Sequence, residues 1–224
     1  MAISCTIDTP QVRSVLDRLF QKSEEIDDAA LARANAQPNT GDDRHRVRTE
    51  LLSEAYLPVH RQVGRLFYIL LRANRCRTVV EFGTSFAVST IYLAAAVRDN
   101  GGGKVITTEM HSGKVRQARE NLREAGLFDL VDVREGDARE TLRKIEPPVH
   151  LLFLDGWKDL YLPVLKVVEP RFQPGSLIVA DDLDITPEFH KPYLNYVRQP
   201  ENGYVSQDVP MGDRFEVSLR LAGA

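Results

Sequence analysis

The chain has 224 residues, 43% hydrophobic and 27% charged, enough for one α/β domain with a full core. Its 29 basic against 32 acidic residues give a formal charge of −3, which disfavours a dedicated nucleic-acid surface. Cys5 and Cys76 are far apart and the five histidines are scattered, so neither type offers the close pairs that zinc sites favour. MAISCTIDTPQVRS has neither a basic start nor a long apolar run, and no stretch approaches a membrane span; the expectation is a cytoplasmic protein with no membrane partner.

Residues 10–36 read as a helix, because Val12, Val15, Leu16, Leu19, Phe20 and Ile26 recur at helical spacing. Turn formers at 37–43 break it. A second helical stretch covers 44–55, and Pro58 is expected to open a third through Leu66, Ile69 and Leu70. Residues 1–57 thus read as a helical extension with a dimer or substrate-cap role, ahead of a unit spanning 58–224. From Thr78 the pattern changes to strands at 78–83, 104–109, 131–136, 149–156 and 177–182. Helices alternate with them, the one at 112–126 being closed by Gly126. Two final strands flank Gly212-Asp213 as a hairpin. This order implies an α/β fold: a Rossmann-like, seven-stranded, mostly parallel sheet with helices on both faces and a C-terminal antiparallel hairpin.

Ligands of such sheets bind beyond the carboxyl ends of the strands, and those ends are rich in acids here: Glu81, Glu109, Asp137, Asp155, Asp181 and Asp182. Glu109 is placed to accept hydrogen bonds from two ribose hydroxyls, a need shared by NAD and S-adenosylmethionine. The first loop, GTSFAVST, has one glycine, Gly83, where a dinucleotide pyrophosphate usually needs several. S-adenosylmethionine carries no phosphate, so one close approach suffices. Asp137 also suits the N-cap of a helix beginning near Ala138, a role compatible with a ligand contact.

VVEFGTSFAVSTIYLA, VITTEMHSGKVRQARENLREAGL, LLFLDGWKDLY and PGSLIVADD, in this order, resemble the catechol O-methyltransferase and caffeoyl-CoA O-methyltransferase group of cation-dependent enzymes, from about Pro58 onward. The resemblance implies an S-adenosylmethionine site that includes Val59 and Glu81 and in which Gly83, Ser85 and Ser89 line the methionine end. Glu109 and Met110 would serve the ribose, and Asp137, Ala138, Asp155 and Trp157 the remainder. It further implies that Asp155, Asp181 and Asp182 hold Mg²⁺ or another divalent cation, that Lys158 is the general base, and that the protein is a homodimer. Two positions depart from the group: Ala87 stands where a second glycine is usual, and Asp182 where Asn is usual.

The residues support this chemistry independently. Three carboxylates suit a hard divalent cation better than zinc, and such a cation favours an acceptor with two neighbouring hydroxyls. Lys158 lies three residues past Asp155, close enough in sequence to serve the same site; the plainer reading pairs it with Asp159 at the surface. Trp157 reads equally as a core aromatic, and Asp181-Asp182 as an acidic turn. The expected function is O-methyl transfer to a small hydroxylated molecule. The alternatives are a metal-independent N- or O-methyltransferase, a tRNA methyltransferase of the same fold, and a cofactor-binding protein without catalysis. The acceptor pocket is expected among the N-terminal helices, the 183–195 segment and the loop before the hairpin, with Pro187, Phe189, Pro192 and Tyr193 as an apolar wall.

Overall fold

The structure, a computed structural model, describes residues 5–37, 41 and 43–223. The turn expected at 37–43 falls largely on residues 38–40 and 42, outside the described residues, as does the start of the chain. Helix α1 (Pro10–Asn35) starts where Thr9 accepts a hydrogen bond from the Val12 amide and Pro10 occupies the first turn. The remaining helices are α2 (Arg44–Leu51), α3 (Arg61–Ala73), α4 (Val88–Asp99), α5 (Ser112–Glu124), α6 (Ala138–Thr141), α7 (Tyr161–Val168) and α8 (Pro187–Val197). They surround strands β1 (Thr78–Phe82), β2 (Lys104–Glu109), β3 (Val131–Glu135), β4 (Val149–Leu154), β5 (Phe172–Ala180), β6 (Tyr204–Val209) and β7 (Phe215–Arg220).

The seven strands form one sheet in the order β3-β2-β1-β4-β5-β7-β6. Strands β1 to β5 pair in parallel, and β7 runs antiparallel between β5 and β6. Strand order therefore reverses between β1 and β4, and the space beyond their carboxyl ends is where a ligand of this architecture sits. Because strands β1 and β4 are covered on both faces, their residues are mostly apolar rather than alternating, with Glu81 in β1 and His150 in β4 among the exceptions.

One core cluster joins α1, α3, α4 and α5 to alternate strand residues such as Val79, Leu151 and Val179. The other packs α7 and α8 against Val80, Leu152, Leu154 and Ile178, as the two-residue period of a strand requires. Val12, Val15, Leu16, Leu19 and Phe20 belong to the first cluster, so α1 shares its core with the sheet.

Three boundaries differ from the sequence expectations by more than two residues. Helix α2 stops at Leu51, and α3 begins at Arg61 rather than at Pro58. Between them the amides of Tyr56 and Leu57 donate to the Asp27 carboxylate at 2.7 and 2.8 Å, and Leu57 adopts φ +45°, which no helix tolerates. Strand β5 begins at Phe172, because Phe172 pairs with Val149 before a register shift. There Ser176 Oγ donates to Val149 O at 2.6 Å, and Gly175 takes φ +90°.

Candidate active site at the carboxyl ends of the strands

At the reversal in strand order, the β1 and β4 ends approach so closely that a side chain on either glycine would collide. Gly83 has φ +107°, and a Cβ there would lie 2.5 Å from the Asp155 carbonyl oxygen. A Cβ on Gly156 would lie 2.4 Å from the Phe82 ring. Beyond Gly83 the loop passes through Ser85 (φ +45°) and Ala87 (φ +70°) before α4 starts. Ala87 thus adopts the left-handed conformation that glycine holds at lower cost, so the replacement keeps the turn.

Glu109 ends β2 and is half-buried. Its carboxylate accepts from the Ser85 amide at 3.0 Å and the His111 amide at 2.9 Å. Each oxygen keeps a further lone pair for an incoming hydroxyl. Beside it, exposed Met110 lines a cavity of about 330 Å³ with His111, Glu135 and the α2 residues Arg46, Thr49 and Glu50. Asp137 caps α6, accepting from the Arg139 amide at 2.8 Å and pairing with its guanidinium at 2.6 Å, which holds its pKa low. Ala138 is buried.

Glu81 and Ser89 lie deeper than a ligand contact needs. Glu81 is fully buried and accepts from Ser89 Oγ and Thr90 Oγ1, both at 2.6 Å. Burial pushes its pKa up to about 7 against the hydroxyls of Ser89, Thr107 and Thr90, which stabilise the charge. Val59 is in the core cluster beneath the loop. Ser85 is engaged from two sides: it donates to Tyr56 O at 2.8 Å and accepts from Lys114 Nζ at 3.2 Å.

Across the reversal, Asp155, Asp181 and Asp182 come together, each offering an oxygen within 4.8 Å of the others. Backbone bonds set this: Asp155 N donates to Phe82 O at 2.9 Å, and Asp181 N to Leu154 O at 3.0 Å. Lys158 enters the group, 2.6 Å from Asp182 Oδ2 and 3.6 Å from Asp155 Oδ1, and donates to Tyr161 Oη at 3.0 Å. Tyr161 in turn donates to Asp181 O at 3.0 Å. Lys158 therefore does not pair with Asp159. That carboxylate is taken by Arg44 and His45 of α2 instead.

The charges do not balance. Burial and the neighbouring Asp182 push Asp155 well above the usual carboxylate range, with Lys158 opposing. Burial and Asp182 push Asp181 to about 7. Burial works against the charge on Lys158, but Tyr161, Asp182 and Asp155 outweigh it and raise its pKa. Three carboxylates and one ammonium cannot all remain ionised at low cost without more positive charge. The donor set is all oxygen and suits a hard divalent cation.

Trp157 is half-buried and stacks on His45 with ring centroids 5.8 Å apart, so a wall of this side comes from α2. On α8, Phe189 is partly exposed, but Tyr193 is fully buried in the core and cannot serve as pocket wall. Sequence reasoning missed Lys114, Tyr56 and Asp27, which brace the first loop, and buried His190, packed edge-on to Tyr161 at 5.5 Å. Nothing in the periodicity of α5 marks Lys114, whose partners lie in distant segments.

Residues 80–183 match the family described as a methyltransferase domain. That span holds Glu81, Glu109, Asp137, Asp155, Asp181 and Asp182. Over that span the chain is similar to a methyltransferase domain. Among curated relatives, it is 30% identical over 149 residues to a catechol O-methyltransferase of Niastella koreensis, covering 63% of this chain and 66% of that one. It is 32% identical over 128 residues to a catechol O-methyltransferase of Mycobacterium tuberculosis, covering 57% of each. The chain thus matches less than two thirds of the length of either relative. Among solved structures, an O-methyltransferase of Bacillus cereus in complex with SAH superposes with a TM-score of 0.68 at 21% identity, over 92% of this chain and 90% of that one. This last likeness shows a shared fold across nearly the whole chain. Among the described residues, no helix is long and apolar enough to cross a membrane.

Proposed function

We propose that the chain is an S-adenosylmethionine-dependent O-methyltransferase that methylates a hydroxyl of a small catechol-like or vicinal-oxygen acceptor. In this reading Asp155, Asp181 and Asp182 hold a divalent cation and Lys158 is the base. The observation that carries it is the convergence of those three carboxylates with Lys158 beside the Gly83 loop, in a chain whose sequence relatives are named catechol O-methyltransferases.

Bound S-adenosylmethionine supplies an electrophilic methyl group on a sulfonium, and a divalent cation supplies positive charge that favours the ionised form of an acceptor hydroxyl. The chain's residues provide the rest. Glu109 offers free lone pairs to the cofactor's vicinal ribose hydroxyls, and Gly83 lets the loop backbone lie against Asp155. Lys158 Nζ is the proton acceptor once its own proton has passed to solvent: Asp155 and Asp182 favour the ammonium, and a cation on those carboxylates would remove that preference, so that the neutral amine takes the proton of the acceptor hydroxyl. Lys158 and Asp155 are largely buried, which keeps the electrostatic effects between them strong.

The test separates chemistry from cofactor binding. Asp155→Ala is expected to abolish transfer from methyl-labelled S-adenosylmethionine to a catechol, while calorimetric binding of S-adenosylhomocysteine survives. Transfer near the wild-type rate in this variant would overturn the assignment.

A further inference from the structure

We propose that Lys114 is a positioning residue for the cofactor, acting with Asp27 through residues 55–57 to make the N-terminal segment a working wall of the cofactor site. This rests on the reading of the Gly83–Ser85 loop and Glu109 as the cofactor cradle.

Lys114 lies in the first turn of α5 and is only 7% exposed. Its ammonium donates to Ala55 O at 2.7 Å and to Ser85 Oγ at 3.2 Å, and it lies 5.3 Å from the centre of the Phe86 ring. Among the described residues it has no ion pair, and burial lowers its pKa although Glu109 and Asp27 oppose that shift. A charge buried on neutral acceptors is costly, and a leucine would fill the same helical position without that cost. The cost is offset only by what the ammonium holds together: α5, the 55–57 segment and the first loop.

Each neighbour of Lys114 is fixed in turn. Asp27 of α1 takes the amides of Tyr56 and Leu57, which aims the Ala55 and Tyr56 carbonyls at Lys114 and Ser85. The Tyr56 ring stacks on Phe86 at 4.0 Å. Ser85, in a left-handed conformation, accepts from Lys114, donates to Tyr56 O and gives its amide to Glu109. A continuous set of bonds therefore runs from α1 to the carboxylate expected to bind ribose. None of the bonds that Lys114 makes reaches Asp155, Lys158, Asp181 or Asp182, so its loss should weaken cofactor binding more than the chemical step.

The experiment is calorimetric titration with S-adenosylhomocysteine of the wild-type chain, Lys114→Met, Lys114→Arg, Ser85→Ala and the Lys114→Met/Ser85→Ala double variant, alongside KM and kcat for S-adenosylmethionine. Loss of a charge-assisted hydrogen bond should raise the dissociation constant of Lys114→Met about tenfold, with KM rising more than kcat falls. Lys114→Arg should recover part of the loss. In the Ser85→Ala background the same Lys114 change should cost less than about threefold, because the shared bond is already gone. If Lys114→Met does not fold, Asp27→Asn tests the far end of the brace and should also weaken binding. A wild-type chain that binds while Lys114→Met or a folded Asp27→Asn binds equally well would overturn the inference. A wild-type chain that binds no S-adenosylhomocysteine would overturn the cofactor reading on which it stands.

Discussion

Glu81 shows how one buried group links the site to pH. Its pKa is about 7 in the folded chain against an ordinary value of 4.5, so between those values the folded state binds more proton than the unfolded chain. The stability it contributes is complete below the lower value and is lost as pH rises through about 7. Glu81→Gln should remove this dependence: denaturant midpoints at about pH 5 and about pH 8 should differ less in the variant than in the wild type. An unchanged difference would mean that Glu81 is ionised throughout. Gly83 makes a sharper demand, since its positive φ and its contact with the Asp155 carbonyl both forbid a side chain. Gly83→Ala should cost about 2 kcal/mol or more in stability, read from thermal melts, while Ala87→Gly at the left-handed position before α4 should be tolerated.

At the scale of elements, most of the fold was legible because its signals are local. Strand β2 matches its expected bounds, and Gly126, at φ +69°, stops α5 as expected. What escaped depends on distant partners. Pro58 looked like a helix start, but Asp27, thirty positions away, binds the Leu57 amide, and Leu57 takes a left-handed turn there. Glu216 alternates correctly within β7 yet is fully buried, because Arg198 at the end of α8 meets it with two bonds of 2.8 and 2.6 Å. That pair ties α8, and so the segment after Asp182, to the antiparallel strand. Arg198→Met should destabilise the chain by about 3 kcal/mol, since it leaves a buried carboxylate unpaired, and Arg198→Lys by less. Equal chemical denaturation curves for wild type and Arg198→Met would contradict this.

For the molecule as a whole, the acids of the site were readable from strand ends alone, because parallel topology decides where those ends lie. Their connections were not. Lys158 turns to Asp182 rather than Asp159 because α2 supplies Arg44 and His45 to Asp159, a match no spacing announces. The N-terminal helices read as an appendage in sequence, yet α1 lies in the shared core and α2 stands over Trp157. The ends of β4 and β5 meet at one cluster of three acids and one lysine. The most direct test is methyl transfer from labelled S-adenosylmethionine to a catechol by chelator-stripped protein, before and after adding Mg²⁺. The expected result is negligible transfer when stripped and full recovery with Mg²⁺; full transfer by the stripped protein would contradict a cation held by Asp155, Asp181 and Asp182.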